Sequence, residues 1–302
     1  LYSVKGLTGG YPGLFSMLPY HEKIKEYSRM ENRDLWEYEL NLTANEIDRM
    51  LSHAWELEGI AFDYFFFDEN CAYRLLELLD IARPGFELTR GFDWYAIPID
   101  IVRAVESAGM VSNVFMRPSA QRKLEAKLES LTIEEQHKVI GVVNREKSVA
   151  ELVLDVDRAG YLASVAAEYW RYQYGAVVRE EKDVDKQLAL LRIVNRYGLP
   201  EESKNVSKFS WKLEEQPENG HRTELLGVSV GSLEDEYYTQ LEWRLSYHDL
   251  LDNGQGYPEN VSLNMGRTQL RIKEGGNTSL QLLDAIDITS LSPRDRLSLI
   301  HI

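Results

Sequence analysis

The chain of 302 residues has a single cysteine, Cys71. An internal disulfide is therefore impossible, and a disulfide-stapled scaffold is excluded. Compartment stays open, because a periplasmic protein can lack disulfides. Long hydrophobic runs are missing too. The longest apolar stretch, around residues 64–67, is far short of the ~18 residues a membrane-spanning helix needs. Positive charge is in deficit, with 34 Lys and Arg against 49 Asp and Glu and a net charge of −15. With no basic cluster to offset it, that balance argues against nucleic acid as a partner. There is no signal-peptide pattern at the start. The sequence opens on Leu1 and stops abruptly in Ser298-Leu299-Ile300-His301-Ile302, and both ends read as those of a fragment.

What is present points to a globular α+β chain. Hydrophobic residues make up 44% and charged residues 27%, a composition that excludes disorder and gives a 34.9 kDa chain room for two domains. Residues 1–30 are punctuated by Gly6, Gly9, Gly10, Pro12 and Gly13, which predicts a Gly-rich loop or hairpin. A strand is expected over 33–42. Thr43 and Glu46 form a capping-box pattern ahead of Ile47, Met50, Leu51, Ala54 and Trp55 on one helical face. An aromatic strand over 62–67 should lead into a helix that starts near Cys71 and ends at Pro84-Gly85. A further helix over 100–108 closes at Gly109.

From residue 118 to about 175 the pattern is helical. Thr132 with Glu135, and Ser148 with Glu151, supply two more capping boxes, and 150–174 reads as one long amphipathic helix. A last helix spans 184–197 and closes at Gly198. Residues 201–219 are polar and read as a linker. Beyond them the period changes to strict alternation. Leu241, Trp243, Leu245 and Tyr247 fall on one face, with Gln240, Glu242, Arg244 and Ser246 on the other. Val261, Leu263 and Met265 repeat the scheme, and Asn253-Gly254 and Gly275-Gly276-Asn277 stand where turns belong. Four or five such strands suit an antiparallel sheet or a piece of a barrel, and are too few to close a barrel within this chain. The expected domains are 1–115, 116–200, a linker at 201–219, and a β region at 220–302.

Cys71 is the residue that carries chemistry. It follows Phe65-Phe66-Phe67-Asp68-Glu69-Asn70, and either Asp68 or Asn70 can cap the helix. Either cap puts Cys71 in the first turn, where the helix dipole favours a thiolate. Taken alone, a free cysteine is among the most buried residue types, so packing is the default reading. A thiol nucleophile also needs a base, usually histidine. The six candidates are His21, His53, His137, His221, His248 and His301. His53 reads as structural, His137 as solvated, and His221 and His248 as parts of the β region. His21, after Pro19-Tyr20, is the least implausible partner. Tyr247-His248-Asp249 admits a metal or acid–base reading, but a strand-end turn, with Asp249 and Asp252 bonding nearby backbone, is favoured. Asp68 with Glu69, and Asp155 with Asp157, are expected to be solvated. The glycines at 6–13 lack the Lys-Ser/Thr pair of a phosphate loop, so nucleotide binding is not expected.

Three motifs in order carry a resemblance: Lys5-Gly6-Leu7-Thr8-Gly9-Gly10-Tyr11-Pro12-Gly13, then Asn32-Arg33-Asp34-Leu35-Trp36-Glu37-Tyr38, then Phe66-Phe67-Asp68-Glu69-Asn70-Cys71-Ala72-Tyr73. Over about residues 1–115 the chain resembles the Lnb N-terminal periplasmic domain family. That family is similar to permuted papain-like thiol enzymes. The resemblance therefore implies a partial permuted papain-like domain, with Cys71 as nucleophile and Asn70 beside it. The Cys71 backbone N–H is a candidate oxyanion donor.

In such folds the catalytic histidine precedes the cysteine in a Gly-His pair. The pair here, Gly220-His221, lies downstream. The base is therefore expected before Leu1, and the fragment by itself is expected to be inactive. Further along, Gly220-His221-Arg222, Tyr247-His248-Asp249-Leu250-Leu251 and Asp287-Ile288-Thr289-Ser290-Leu291-Ser292-Pro293 resemble the β-rich region following this domain in longer Gram-negative relatives.

The resemblance implies a periplasmic or outer-membrane location and acyl transfer through a thioester on Cys71. Lipid or lipoprotein would be the substrate, with no metal and no cofactor. Two alternatives stay open: a peptide or lipid thiol hydrolase, and a non-catalytic envelope protein with Cys71 buried in its core. Exposure of Cys71 separates catalysis from packing.

Overall fold

The computed structural model describes residues 11–30, 33–174, 181–199, 216–233, 235–257 and 260–291. The Lys5–Gly10 part of the first motif, Asn32, His301 and most of the interval read as a linker lie outside those residues. Only the end of that interval is described, and there Pro217–Asn219 form a 3-10 turn. The chain divides into two compact units. One comprises residues 1–16, 38–113 and 212–302, and the other 17–37 and 114–211.

Among the described residues of the Gly-rich start there is one strand. β1 (Tyr11–Leu14) pairs antiparallel with β3 (Ala61–Tyr64), fifty residues on. It is followed by a short helix, α1 (Tyr20–Lys25), and a π turn over Glu26–Met30. β2 (Leu35–Leu40) pairs with β4 (Val111–Arg117), a strand that the alternation around Val111 and Met116 did not announce. Between them run α2 (Ala44–Glu56), α3 (Cys71–Ala82) and α4 (Pro98–Ser107).

The expected capping box opens α2. Thr43 Oγ1 accepts from the Glu46 amide, and Glu46 accepts from the Thr43 amide at 2.8 Å. Glu46 also receives Arg83 at 2.6 Å, tying the start of α2 to the end of α3. β3 is shorter than the expected strand, because residues 65–67 leave the ladder and turn toward α3. Leu76 and Leu79 of α3 meet Ile101 and Val105 of α4, with Leu88, Ala96 and Met110, in a buried cluster. Burial of each such side chain contributes about 1.5–3 kcal/mol.

The second unit is helical, with α5 (Ala120–Glu129), α6 (Ile133–Val143), α7 (Val156–Tyr174) and α8 (Glu181–Tyr197). Thr132 and Glu135 complete the second capping box. The pair Ser148 and Glu151 does not form a third. Ser148 Oγ accepts from Ala150, and the turn it starts is a separate 3-10 segment, Val149–Val153. The long helix therefore begins at Val156. α7 is also less amphipathic than its sequence suggested, since ten of its nineteen residues are buried. Gly160 sets its spacing: a Cβ there would stand 1.6 Å from the carbonyl oxygen of Gly198, which closes α8 with a φ of +71°.

The described residues between Leu225 and Ser290 include an open antiparallel sheet of five strands, as the alternation required, and among them it does not close into a barrel. β5 (Leu225–Leu233), β6 (Glu236–Arg244) and β8 (Val261–Lys273) are hydrogen-bonded in that order. β7 (Ser246–His248) and β9 (Thr278–Ser290) also pair with β8. β6 and β7 keep one register against β8, with a break at Leu245 opposite Gly266. The Gly275-Gly276-Asn277 turn joins β8 to β9, with the Lys273 carbonyl receiving the Gly276 amide at 2.8 Å. Asn253-Gly254 sits instead in a longer loop between β7 and β8.

The two faces of the sheet are filled in an unexpected sense. Leu226, Val228, Val230, Leu241, Trp243, Ile286 and Ile288 point outward and stay exposed. The opposite face carries a ladder of paired polar groups: Arg267 to Glu242 at 2.7 Å, Gln269 to Glu242 at 3.0 Å, Arg271 to Gln240 at 2.9 Å, and Lys273 to Glu236 at 2.7 Å. On this face Arg244, Ser246, His248, Ser262 and Asn264 are buried, with Arg244 bonded to Asp252 at 2.6 Å and Asn264 to Asp249 at 3.2 Å in the loop after β7.

Candidate thiol site and a second polar cluster

Cys71 is the first residue of α3 and is exposed. Asn70, not Asp68, is the cap. Its Oδ1 accepts from Ala72 N at 3.0 Å and Tyr73 N at 3.2 Å, and its Nδ2 donates to Ala96 O at 2.6 Å and Phe66 O at 3.2 Å. All four bonds go to backbone and the residue is 5% exposed. The side chain thus holds the helix start in place. It leaves the Cys71 amide, alone of the first three, uncapped. Asp68 Oδ1 instead accepts from Glu69 N at 2.8 Å.

Glu69, expected to be solvated, is ion-paired with Arg74, which also pairs with Glu77 at 3.0 Å and lies over the Phe62 ring. Asp155 accepts from the Asp157 amide at 3.2 Å. Beside the thiol stands Tyr64, whose phenol is pushed above its ordinary value by burial and by the proximity of Cys71. Trp94, in the same loop as Ala96, is 88% exposed.

No histidine among the described residues of this unit hydrogen-bonds Cys71. His53 lies against Glu56 at 3.4 Å, in a groove shared with Phe15, Phe62 and Arg74. His21 is exposed on α1 and His137 is exposed on α6, both in the second unit.

Two histidines do come together elsewhere. His221 Nε2 lies 2.9 Å from His248 Nδ1 and 3.6 Å from Asp252 Oδ2. Both rings stack on Tyr257, each with a centroid separation of 4.4 Å. The Tyr257 hydroxyl donates to His221 O at 2.9 Å, and the same carbonyl receives Arg103 at 2.9 Å. Burial, then repulsion from His221, pushes the His248 imidazolium below its ordinary range. The reading of 247–249 as a strand-end turn describes the local bonds: Asp249 Oδ1 accepts from Leu251 N, and Asp252 Oδ2 from Asp249 N at 2.8 Å. His221 was missed as a partner because nothing local links it to a residue 27 positions away.

Fold and site together define an α+β protein that presents an exposed thiol at the start of a helix. Residues 1–108 match the Lnb N-terminal periplasmic domain family. Residues 214–298 match a domain of unknown function (DUF7840). No curated protein and no solved structure matches. The periplasmic family makes this an envelope protein, and no described helix is long and apolar enough to cross a membrane.

Proposed function

We propose that the protein is an envelope thiol enzyme that carries an acyl group on Cys71. The observation that supports this most is the exposure of Cys71 at the first position of α3, within the residues that match the Lnb family. A packing role would have enclosed the sulfur among Phe65, Phe67 and Leu75. The Cys71 thiolate attacks an ester or amide carbonyl carbon, a C–S bond forms and the C–O or C–N bond breaks. The leaving alcohol or amine takes the proton lost from the thiol. An amine or water then attacks the thioester and regenerates the thiol. Asn70 is a positioning residue, since it fixes the backbone from which Cys71 projects. The Cys71 amide is the oxyanion donor on this reading. A lipid or lipoprotein acyl donor fits the exposed indole of Trp94, in the loop that Asn70 holds through Ala96, because indole rings favour apolar–aqueous boundaries.

A second, compatible reading concerns location. Strands of nine to thirteen residues, apolar outward and polar on the other face, follow the pattern of an outer-membrane barrel wall. This supports outer-membrane association through the β region.

Acyl-thioester trapping tests the enzymatic proposal. Incubation of the full-length protein with a radiolabelled phospholipid should leave hydroxylamine-sensitive label on it, and Cys71→Ser should remove both label and activity. Label or activity that survives Cys71→Ser would end the proposal.

A further inference from the structure

The cluster at His221, His248 and Asp252 is the one group of three or more His, Cys, Asp and Glu side chains among the described residues whose donor atoms converge, all within 4.8 Å of one another. Its geometry is prepared. His221 Nδ1 lies 2.6 Å from the Arg222 carbonyl oxygen, which can only accept, so the proton sits on Nδ1. The Nε2 lone pair of the neutral ring is then directed away, toward His248 and Asp252. A ligating histidine is ordinarily oriented in this way, by donating its other N–H to a carbonyl. The separation of the two imidazole nitrogens, 2.9 Å, also matches a shared ion. Two nitrogens each about 2.0–2.1 Å from one ion stand ~2.9 Å apart at a right angle and ~3.4 Å at the tetrahedral angle.

The scaffold around these donors is stiff. Tyr257 supports both rings from one side. Arg103, itself buried, donates to the carbonyls of Glu218, Gly220 and His221 and is paired with Asp100 at 2.7 Å. Arg244 at 2.6 Å and the Asp249 amide at 2.8 Å fix the Asp252 carboxylate.

We propose that His221, His248 and Asp252 bind a divalent transition-metal ion of the zinc class. Two imidazoles and one carboxylate select such ions over calcium or magnesium, which prefer oxygen donors. Three protein donors leave a fourth position open to water or an external ligand. Binding requires one proton to change place: His248 Nδ1 coordinates while Nε2 carries the ring proton, so both imidazoles stay neutral. Arg244 shares the carboxylate with the ion, which weakens the site relative to a closed structural zinc centre.

The test uses the untagged, chelator-stripped chain titrated with Zn²⁺ and with Co²⁺. One equivalent should bind, with a visible Co²⁺ d–d band. His221→Gln keeps an acceptor for the His248 N–H but has no imidazole, so it should fold normally by circular dichroism and bind at least about tenfold more weakly. Wild-type affinity in folded His221→Gln, or no binding by the folded wild-type chain, would overturn the proposal. If His221→Gln fails to fold, zinc-edge X-ray absorption of the wild-type complex decides. A shell of two imidazoles with oxygen supports the site, and one with fewer than two imidazoles refutes it.

Discussion

The carboxamide of Asn70 donates to the backbone carbonyl of Ala96 at 2.6 Å, while Ala96 donates its own amide to Phe67 O at 2.6 Å. Two short bonds thus clamp the loop before α4 onto the turn that delivers Cys71. One side chain caps a helix, braces a loop 26 residues away and sets where the thiol stands. Removing it acts on stability and on the site together.

Asn70→Ala should lower stability by about 2 kcal/mol, the cost of a lost cap plus an orphaned buried carbonyl. Urea unfolding measures this. Asn70→Asp keeps the acceptor for Ala72 and Tyr73 but loses both donors, and should fall between Asn70→Ala and wild type. Equal stability of all three proteins would mean that the clamp contributes nothing.

Glu46 predicts a pH dependence. The Arg83 guanidinium, with the Thr43 amide, holds its carboxyl at about 2, below its ordinary value of 4.5. A carboxyl depressed in the fold stabilises above its unfolded value, and that contribution is lost as pH falls from 4.5 toward 2. The difference in melting temperature between wild type and Glu46→Gln should therefore be largest near neutral pH and shrink steadily below pH 4.5. A difference that is constant across this window would contradict the assignment.

Gly160→Ala should destabilise the helical unit by about 3 kcal/mol or more, because the added methyl meets the Gly198 carbonyl. Guanidinium unfolding followed by Trp170 fluorescence reports it. Ala163→Gly, one turn further along α7, removes a methyl without that clash and should cost only about 1 kcal/mol, as a helix-interior glycine does.

Arg103→Met removes a buried guanidinium from its ion pair with the partly exposed Asp100 and strips donors from three carbonyls. A loss of about 3–5 kcal/mol is expected. Hydrogen exchange should locate it, with faster exchange at residues 218–223 and little change in α6.

The outward face of the sheet gives the last expectation. Leu226, Val228 and Val230 are 79%, 68% and 82% exposed. Replacing Val228 and Val230 by Asp should abolish co-flotation with phospholipid vesicles while leaving the circular dichroism spectrum unchanged. Flotation that persists in the double variant would remove the support for membrane association through this face.

Local spacing was enough to read most elements. Thr43 with Glu46 and Thr132 with Glu135 mark their helices because a capping box is complete within four residues. Alternation from Gln240 to Tyr247 announces a strand because side-chain direction repeats every second residue. Cys71 at a helix start was legible for the same reason, since Asn70 and the leucines after it are neighbours in sequence. β4 was missed because its partner β2 lies about 75 residues away.

The tertiary structure alone decided which face of each element is covered. A period of two separates two faces of a sheet but does not say which one meets protein. Here the loop after β7 covers part of the polar face, with Asp249, Asp252 and Tyr257 against Asn264, Arg244 and His248, and the apolar face stays exposed. It also decided what Cys71 and the histidines are near. Burial and long-range pairing depend on contacts between distant segments, and no local pattern of residues encodes them. By itself the sequence determined most of the helices and strands and a thiol at a helix start. Folding exposed that thiol and brought His221 onto His248.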